Sequence, residues 1–180
     1  CGVVFYDTPI AVVPHVLAWL GRDPNSEDPA DLALAERALH AVRPFLRYLS
    51  NARQFADLAG GGVCLAFSDN GNAIQARVRA RQAGSPYTLV YSVPREGAQL
   101  WFDMMAVPAD APHADNALRF INYMLEPQVA ASITRATGFA TANLPGRALL
   151  PLAVRDDPDI FPPPAVMARL FPDPMKQDAY

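Results

Sequence analysis

Residues Pro94 to Pro108 read P-R-E-G-A-Q-L-W-F-D-M-M-A-V-P. The middle of this stretch is apolar and carries one carboxylate, Asp103, beside Trp101 and Phe102. Hydrophobic residues resume at once with Met104, Met105, Ala106 and Val107. No polar face alternates along it, and this pattern predicts a mostly buried strand. A charge in such a strand is costly unless something pairs with it. Two readings stay open. Either Asp103 and Trp101 face a cleft and bind a cation, since a carboxylate and an aromatic face are what an ammonium needs. Or Asp103 ends a strand and hydrogen-bonds a neighbouring backbone.

The rest of the chain sets the frame for that strand. At 180 residues, with 51% hydrophobic and 18% charged residues, it is globular in composition and long enough for one domain or one large lobe. The formal net charge is −3, and Lys176 is the only lysine. That balance is not a nucleic-acid footprint, and it is compatible with a cationic ligand. Proline makes up 18 of the 180 residues, about twice ordinary usage, and much of it lies beyond position 144, so the C-terminal part is expected to be loop-rich. No run reaches the ~18 apolar residues of a transmembrane helix. No signal peptide is seen, and the chain opens inside a strand-like run, so the start is expected to lie within a domain.

Strands and helices alternate. Residues 2–7 read as a buried strand. Thr8-Pro9 suits a helix start, with Thr as N-cap and Pro at the first helical position. A helix from Ile10 to Leu20 is stopped by Gly21 and strained by Pro14. Ala30 to Val42 is amphipathic. Phe45 to Leu49 is a short strand, Asn51 caps a helix through Leu58, and Val63 to Phe67 is a buried strand. A helix spans Asn72 to Ala83 and a strand Tyr87 to Val93. After Pro108, an apolar helix follows His113, a second runs from Pro127 to about Ala136, and a short one lies near Ala165 to Leu170. This alternation predicts an α/β architecture with a largely parallel sheet.

In open sheets of this kind, ligands sit off the carboxyl ends of the strands. Asp7, Ser68-Asp69 and Asp103 lie at such ends. For Asp7 and Asp69 the competing reading is a helix N-cap. Cys1 and Cys64 each open a strand-like run. They form a disulfide if those strands adjoin, or they are two small buried thiols. G-x-S-x-G, H-E-x-x-H, C-x-x-C and the glycine-rich phosphate loops are all missing from the sequence. His15, His40 and His113 sit in unrelated contexts, and His15 and His40 read as ordinary helix residues. The sequence therefore predicts no metal, no cofactor and no catalysis.

Several blocks together resemble the C-terminal half of the periplasmic polyamine-binding proteins, the receptors of ABC importers for putrescine or spermidine. They are C-G-V-V-F-Y-D-T-P at the start, L-G-R-D-P-N-S at 20–26, P-F-L-R-Y at 44–48 and G-G-V-C-L-A-F at 61–67. The series continues with V-P-R-E-G-A-Q-L-W-F-D-M-M-A-V-P-A-D-A at 93–111, F-I-N-Y-M-L-E-P at 120–127, A-T-A-N at 140–143 and V-R-D-D-P-D-I-F-P-P at 154–163. The resemblance implies one α/β lobe of a two-lobed, type II periplasmic-binding-protein fold that closes on its ligand. It implies that 1–102 and 149–180 form the second lobe, and that 103–148 crosses back to a first lobe outside this chain. It makes Asp103 the amine-binding carboxylate, Trp101 a ring wall and Phe139 a further aromatic. It implies that Cys1 and Cys64 pair, in keeping with an oxidising periplasm. The partners it implies are a small cationic amine, a membrane permease, and either the first lobe or another copy of the chain.

The chain departs from the family at the site. A ring and an acidic residue usual after the V-C-L-A-F strand are replaced by Asp69 and Asn72, and Ile10 stands where an acid is common. Asp69 and Asn72 are expected to line the site, with Asp7 as a substitute charge. The alternative function is a non-binding module that oligomerises through the 103–148 segment, whose Leu118, Phe120, Ile121, Met124 and Leu125 need burial.

Overall fold

The computed structural model describes residues 1–172, and the end of the loop-rich C-terminal part expected above lies outside them. The chain forms two compact units. The first comprises Cys1–Trp101 and the stretch from Pro163. The second is Phe102–Pro162.

The first unit is built on three parallel strands. β1 (Gly2–Phe5) leads into α1 (Pro9–Trp19) and α2 (Pro29–Val42). A single 3₁₀ turn then enters β2 (Leu46–Leu49). α3 (Gln54–Ala59) connects to β3 (Val63–Ala66), and α4 (Asn70–Gln82) follows. The strand order is β2-β1-β3, with β1 central and parallel to both neighbours. β1 therefore has strands on both edges, and its Val4 is fully buried. Helical crossovers are what parallel pairing requires.

Local chemistry sets several boundaries. Thr8 is the N-cap residue of α1, with Pro9 at its first position. At the other end Arg22 N–H donates to the Leu17 carbonyl at 2.9 Å and Gly21 N–H to that of Ala18 at 3.0 Å. This is a Schellman closure, and Gly21 holds the left-handed turn at φ +70°. Asp28 caps α2 by accepting the Ala30 N–H at 2.8 Å. Asn51 does not cap α3, contrary to expectation. α3 starts at Gln54 with no side-chain cap. Ser50 Oγ accepts the Ala52 and Arg53 N–H groups in the turn before it, and the Asn51 amide reaches across to the residues after β1.

After α4 the chain has no regular structure until β4 (Gln99–Leu100), so the expected strand over 87–93 does not form. The expected buried strand over 94–108 is likewise reduced to β4. Beyond it Trp101 is 53% and Met104 83% exposed. An apolar run forms a strand only where a neighbour supplies the ladder bonds, and none of the described residues does so here.

The second unit is helical: α5 (Ala114–Met124), α6 (Pro127–Thr137), α7 (Leu144–Ala148) and α8 (Leu152–Arg155). Its core includes Ala131, Thr134, Leu150 and Ile160. α5 is strongly two-faced, yet Leu118, Phe120, Tyr123 and Leu125 are each more than half exposed. α9 (Pro164–Met167) returns to the first unit. β5 (Phe171–Pro172) then pairs in parallel with β4.

The α/β, largely parallel reading holds for the first unit. β1 and β3 adjoin, and Cys1 and Cys64 are bonded as a disulfide with Cα atoms 5.5 Å apart.

Candidate functional site

Two parallel strands of the first unit end side by side, β1 at Phe5 and β3 at Ala66. The residues just past those ends form a hydrogen-bonded group. The buried Tyr6 phenol donates to Asp69 Oδ2 at 2.9 Å. The same phenol oxygen accepts the Asp69 backbone N–H at 2.9 Å. Asn72, one turn into α4, donates its side-chain amide to Asp69 Oδ2 at 3.2 Å. Asp69 is the N-cap residue of α4 by position, but its carboxylate makes no capping bond. The capping alternative is thus not what its side chain does. Burial raises the Tyr6 hydroxyl above its ordinary value, so it stays protonated and donating at neutral pH.

Asp7 lies next to Tyr6, two residues past the end of β1, with an exposed side chain. Its backbone N–H donates to Asn51 Oδ1 at 2.9 Å, and Asn51 Nδ2 donates to Thr8 Oγ1 at 2.8 Å. Asn51 therefore ties the end of β1 to the segment after β2.

An aromatic layer underlies the strand ends. Phe67 meets Tyr6 edge-on at 5.4 Å between centroids and His15 at 4.6 Å. His15 also meets Phe171 at 5.4 Å. Both His15 ring nitrogens are engaged. Nδ1 lies 2.8 Å from the Ala11 carbonyl oxygen, and Nε2 lies 3.1 Å from the Gln99 backbone nitrogen. A carbonyl only accepts and a backbone N–H only donates, so the ring is neutral with its proton on Nδ1. Burial lowers the His15 pKa from the ordinary imidazole value, consistent with that form. His15 is thus not an ordinary helix residue. Trp101, two residues beyond Gln99, is half exposed at the end of β4.

Asp103 and Phe139 belong to the second unit. Asp103 is exposed just past the unit boundary. Phe139 follows Gly138, whose left-handed φ of +76° ends α6, and is 40% exposed. The structure thus joins Asp69 and Asn72 directly, and sets Asp7 at the neighbouring strand end. Trp101 stands past β4.

Tyr6, His15 and Gln99 were not singled out from the sequence. One signal existed. Pro14 has no N–H, so the Ile10 carbonyl lacks its helical donor, and Gln99 Nε2 donates to it at 3.4 Å.

An apolar groove of about 620 Å³ lies between α1, α2 and the sheet, lined by Val12, Val13, Leu32, Leu39, Leu46 and Leu49. Its lining is mostly apolar but also includes Tyr6, Asp7, Glu36, His40 and Arg43, so it carries charges of both signs and borders the strand-end group. Among the described residues no cluster of three or more His, Cys, Asp or Glu could hold a metal ion. No helix among them is long and apolar enough to cross a membrane.

A parallel α/β unit with polar groups gathered at its strand ends is the architecture of a ligand-binding lobe. The chain belongs to the bacterial extracellular solute-binding protein family, whose profile matches residues 9–162. It is similar to the putrescine-binding periplasmic protein SpuD of Pseudomonas aeruginosa, with 38% identity over 96% of this chain and 48% of that protein. It is also similar to the putrescine-binding periplasmic protein PotF of Escherichia coli, with 41% identity over 95% of this chain and 46% of that protein. Among solved structures it resembles the spermidine/putrescine ABC transporter substrate-binding protein PotD of Streptococcus pneumoniae. The TM-score is 0.81 at 27% identity, covering 98% of this chain and 53% of that one. The chain spans about half the length of the curated relatives it matches. The expected resemblance and fold class are therefore borne out, and these relatives are binding components of transport, not enzymes.

Proposed function

We propose that this chain is the second-lobe portion of a solute-binding protein that captures a polyamine or related small cationic amine for an ABC importer in the periplasm. The observation that carries the reading is the Asp69–Asn72 pair, set at the strand ends of a family member whose relatives bear putrescine-binding names. Asp103, Asp69 and Asp7 supply charge, Asn72 a polar acceptor, and Trp101 and Phe139 ring surface. The disulfide suits an oxidising compartment. The first-lobe segment proposed for 103–148 lies inside the compact unit Phe102–Pro162.

The departures from the family shape the ligand. A close ion pair is worth ~4 kcal/mol at an effective dielectric of about 20. A cation–π contact is worth ~0.5–2 kcal/mol. With Ile10 and Asn72 in place of acids and Asp69 in place of a ring, carboxylate number governs affinity more than ring contact. Asp69 already serves two side-chain donors, so this lobe favours a ligand with a modest charge at this end, such as a monoamine or guanidino terminus. The test is a calorimetric titration with putrescine, spermidine and agmatine, on the protein as it occurs naturally. Saturable binding of at least one supports the reading; no heat with any of them overturns it.

A second reading is favoured by the exposed Leu118, Phe120, Tyr123 and Leu125 of α5. Patches of this kind mark interaction surfaces. In this reading the segment self-associates without a ligand. Native mass spectrometry decides it: a dimer that forms without amine supports it, and a monomer does not.

A further inference from the structure

We infer that His15 is a positioning residue for the amine site: its neutral ring anchors the strand that delivers Trp101, and its protonation releases that strand. The inference rests on the reading of Trp101 as a wall of that site.

Two neighbouring residues of α1 are built to hold β4. Pro14 cannot donate to the Ile10 carbonyl, and Gln99 Nε2 takes that place at 3.4 Å. His15 Nε2 accepts the Gln99 backbone N–H at 3.1 Å, while Nδ1–H is fixed on Ala11 O at 2.8 Å. β4 is two residues long, and its other strand partner is the equally short β5. With so short a ladder, the contacts to α1 add to what holds β4 in place. Trp101 follows two residues later with no strand bonds of its own.

The hydrogen-bond pattern makes this anchor conditional. A proton taken from solvent onto Nε2 turns the acceptor into a second donor aimed at the Gln99 N–H. In the imidazolium both nitrogens carry hydrogen, so no ring orientation offers the Gln99 N–H an acceptor. The cation would also lie against Phe67 and Phe171, in a place where burial opposes charge.

The surrounding charges do not cancel this. α1 contains no other titratable side chain. From the β3–α4 junction Asp69 attracts the imidazolium, but burial is the larger influence. Just past β1 the Tyr6 hydroxyl is neutral at these pH values. On α2, Glu36 pairs with His40 and Asp31 with Arg22; Arg37 is exposed. Glu96, before β4, pairs with Arg95, and Arg169 precedes β5.

Two measurements on the chain test the inference. The first needs no ligand: the His15 ring titration and the exchange protection of the Gln99 amide are followed by NMR from pH 7.5 to 5. The inference expects Gln99 protection to fall as His15 protonates. Protection that is unchanged once the ring is protonated overturns it. The second is the affinity for putrescine over the same range, for the wild type and His15→Gln. The wild type is expected to weaken toward a limit of about tenfold per pH unit once His15 titrates, and the variant to give a flatter profile. Identical profiles overturn the inference. If no amine binds at pH 7.5, the functional reading has failed, and the Gln99 measurement still decides the role of His15 in β4.

Discussion

Tyr6 and Asp69, 63 residues apart, are joined twice through one phenol oxygen, which donates to the carboxylate and accepts the backbone N–H of the same residue, both at 2.9 Å. This closes the ends of β1 and β3 into one unit and turns Asp69 in the direction that Asn72 shares. The phenol also rests edge-on against Phe67, so packing holds the donor in place.

Removing the hydroxyl leaves the Asp69 N–H and one carboxylate oxygen without this partner. Tyr6→Phe is expected to destabilise the first unit by about 1–3 kcal/mol, measured by urea unfolding at pH 7. The sign of its pH dependence follows from the raised Tyr6 pKa. The stabilisation is complete below the ordinary value of 10.0 and is lost as pH rises through the folded value. The wild type is therefore expected to lose stability in alkali faster than Tyr6→Phe. Parallel alkaline curves would show that the phenol carries no such linkage.

Gly97, in the P-R-E-G-A segment, holds φ +104°, and a Cβ there would run into the Arg169 carbonyl oxygen. Strain at such a position is worth ~1–3 kcal/mol. Gly97→Ala is expected to cost at least that much and to part β4 from β5, where Phe171 N–H donates to Ala98 O at 3.0 Å. Differential scanning calorimetry with Gln99 amide exchange checks both effects. A variant as stable as the wild type would contradict the clash.

The Cys1–Cys64 bond closes a loop with a sequence separation of 63. A native disulfide is typically worth about 2–4 kcal/mol, and the chain-entropy relation for a loop of this length sits at the top of that range, at about 4 kcal/mol. Denaturant midpoints with and without reductant are expected to differ accordingly, with the Cys1→Ser/Cys64→Ser protein matching the reduced one. Equal midpoints would show that β1–β3 pairing holds without the bond.

What the sequence made legible follows the range of the forces involved. α1 was readable because Thr8-Pro9 and Gly21 act within a few residues of themselves. β1 and β3 were readable because their apolar runs are short and bounded. The segments 87–93 and 101–107 were misread as strands because a strand needs a neighbour, and apolar composition does not say whether one exists. Asp69 is legible from its place just past the V-C-L-A-F strand, and Asn72 only through the family resemblance. The Tyr6–Asp69 and His15–Gln99 bonds, spanning 63 and 84 residues, depend on which strands lie side by side, and that is a property of topology. Asn51 reads as a cap because Asn favours caps, but α3 starts later, at Gln54, and the Asn51 amide is held by Asp7 and Thr8 instead.

The central claim is that carboxylates of this chain hold an amine. Equilibrium dialysis of labelled putrescine at neutral pH, on wild type and Asp103→Asn, tests it most directly, since the substitution removes charge and keeps shape. The account predicts saturable binding by the wild type and a loss of at least tenfold in Asp103→Asn, the loss of one close ion pair. Equal affinity in the two proteins would contradict it.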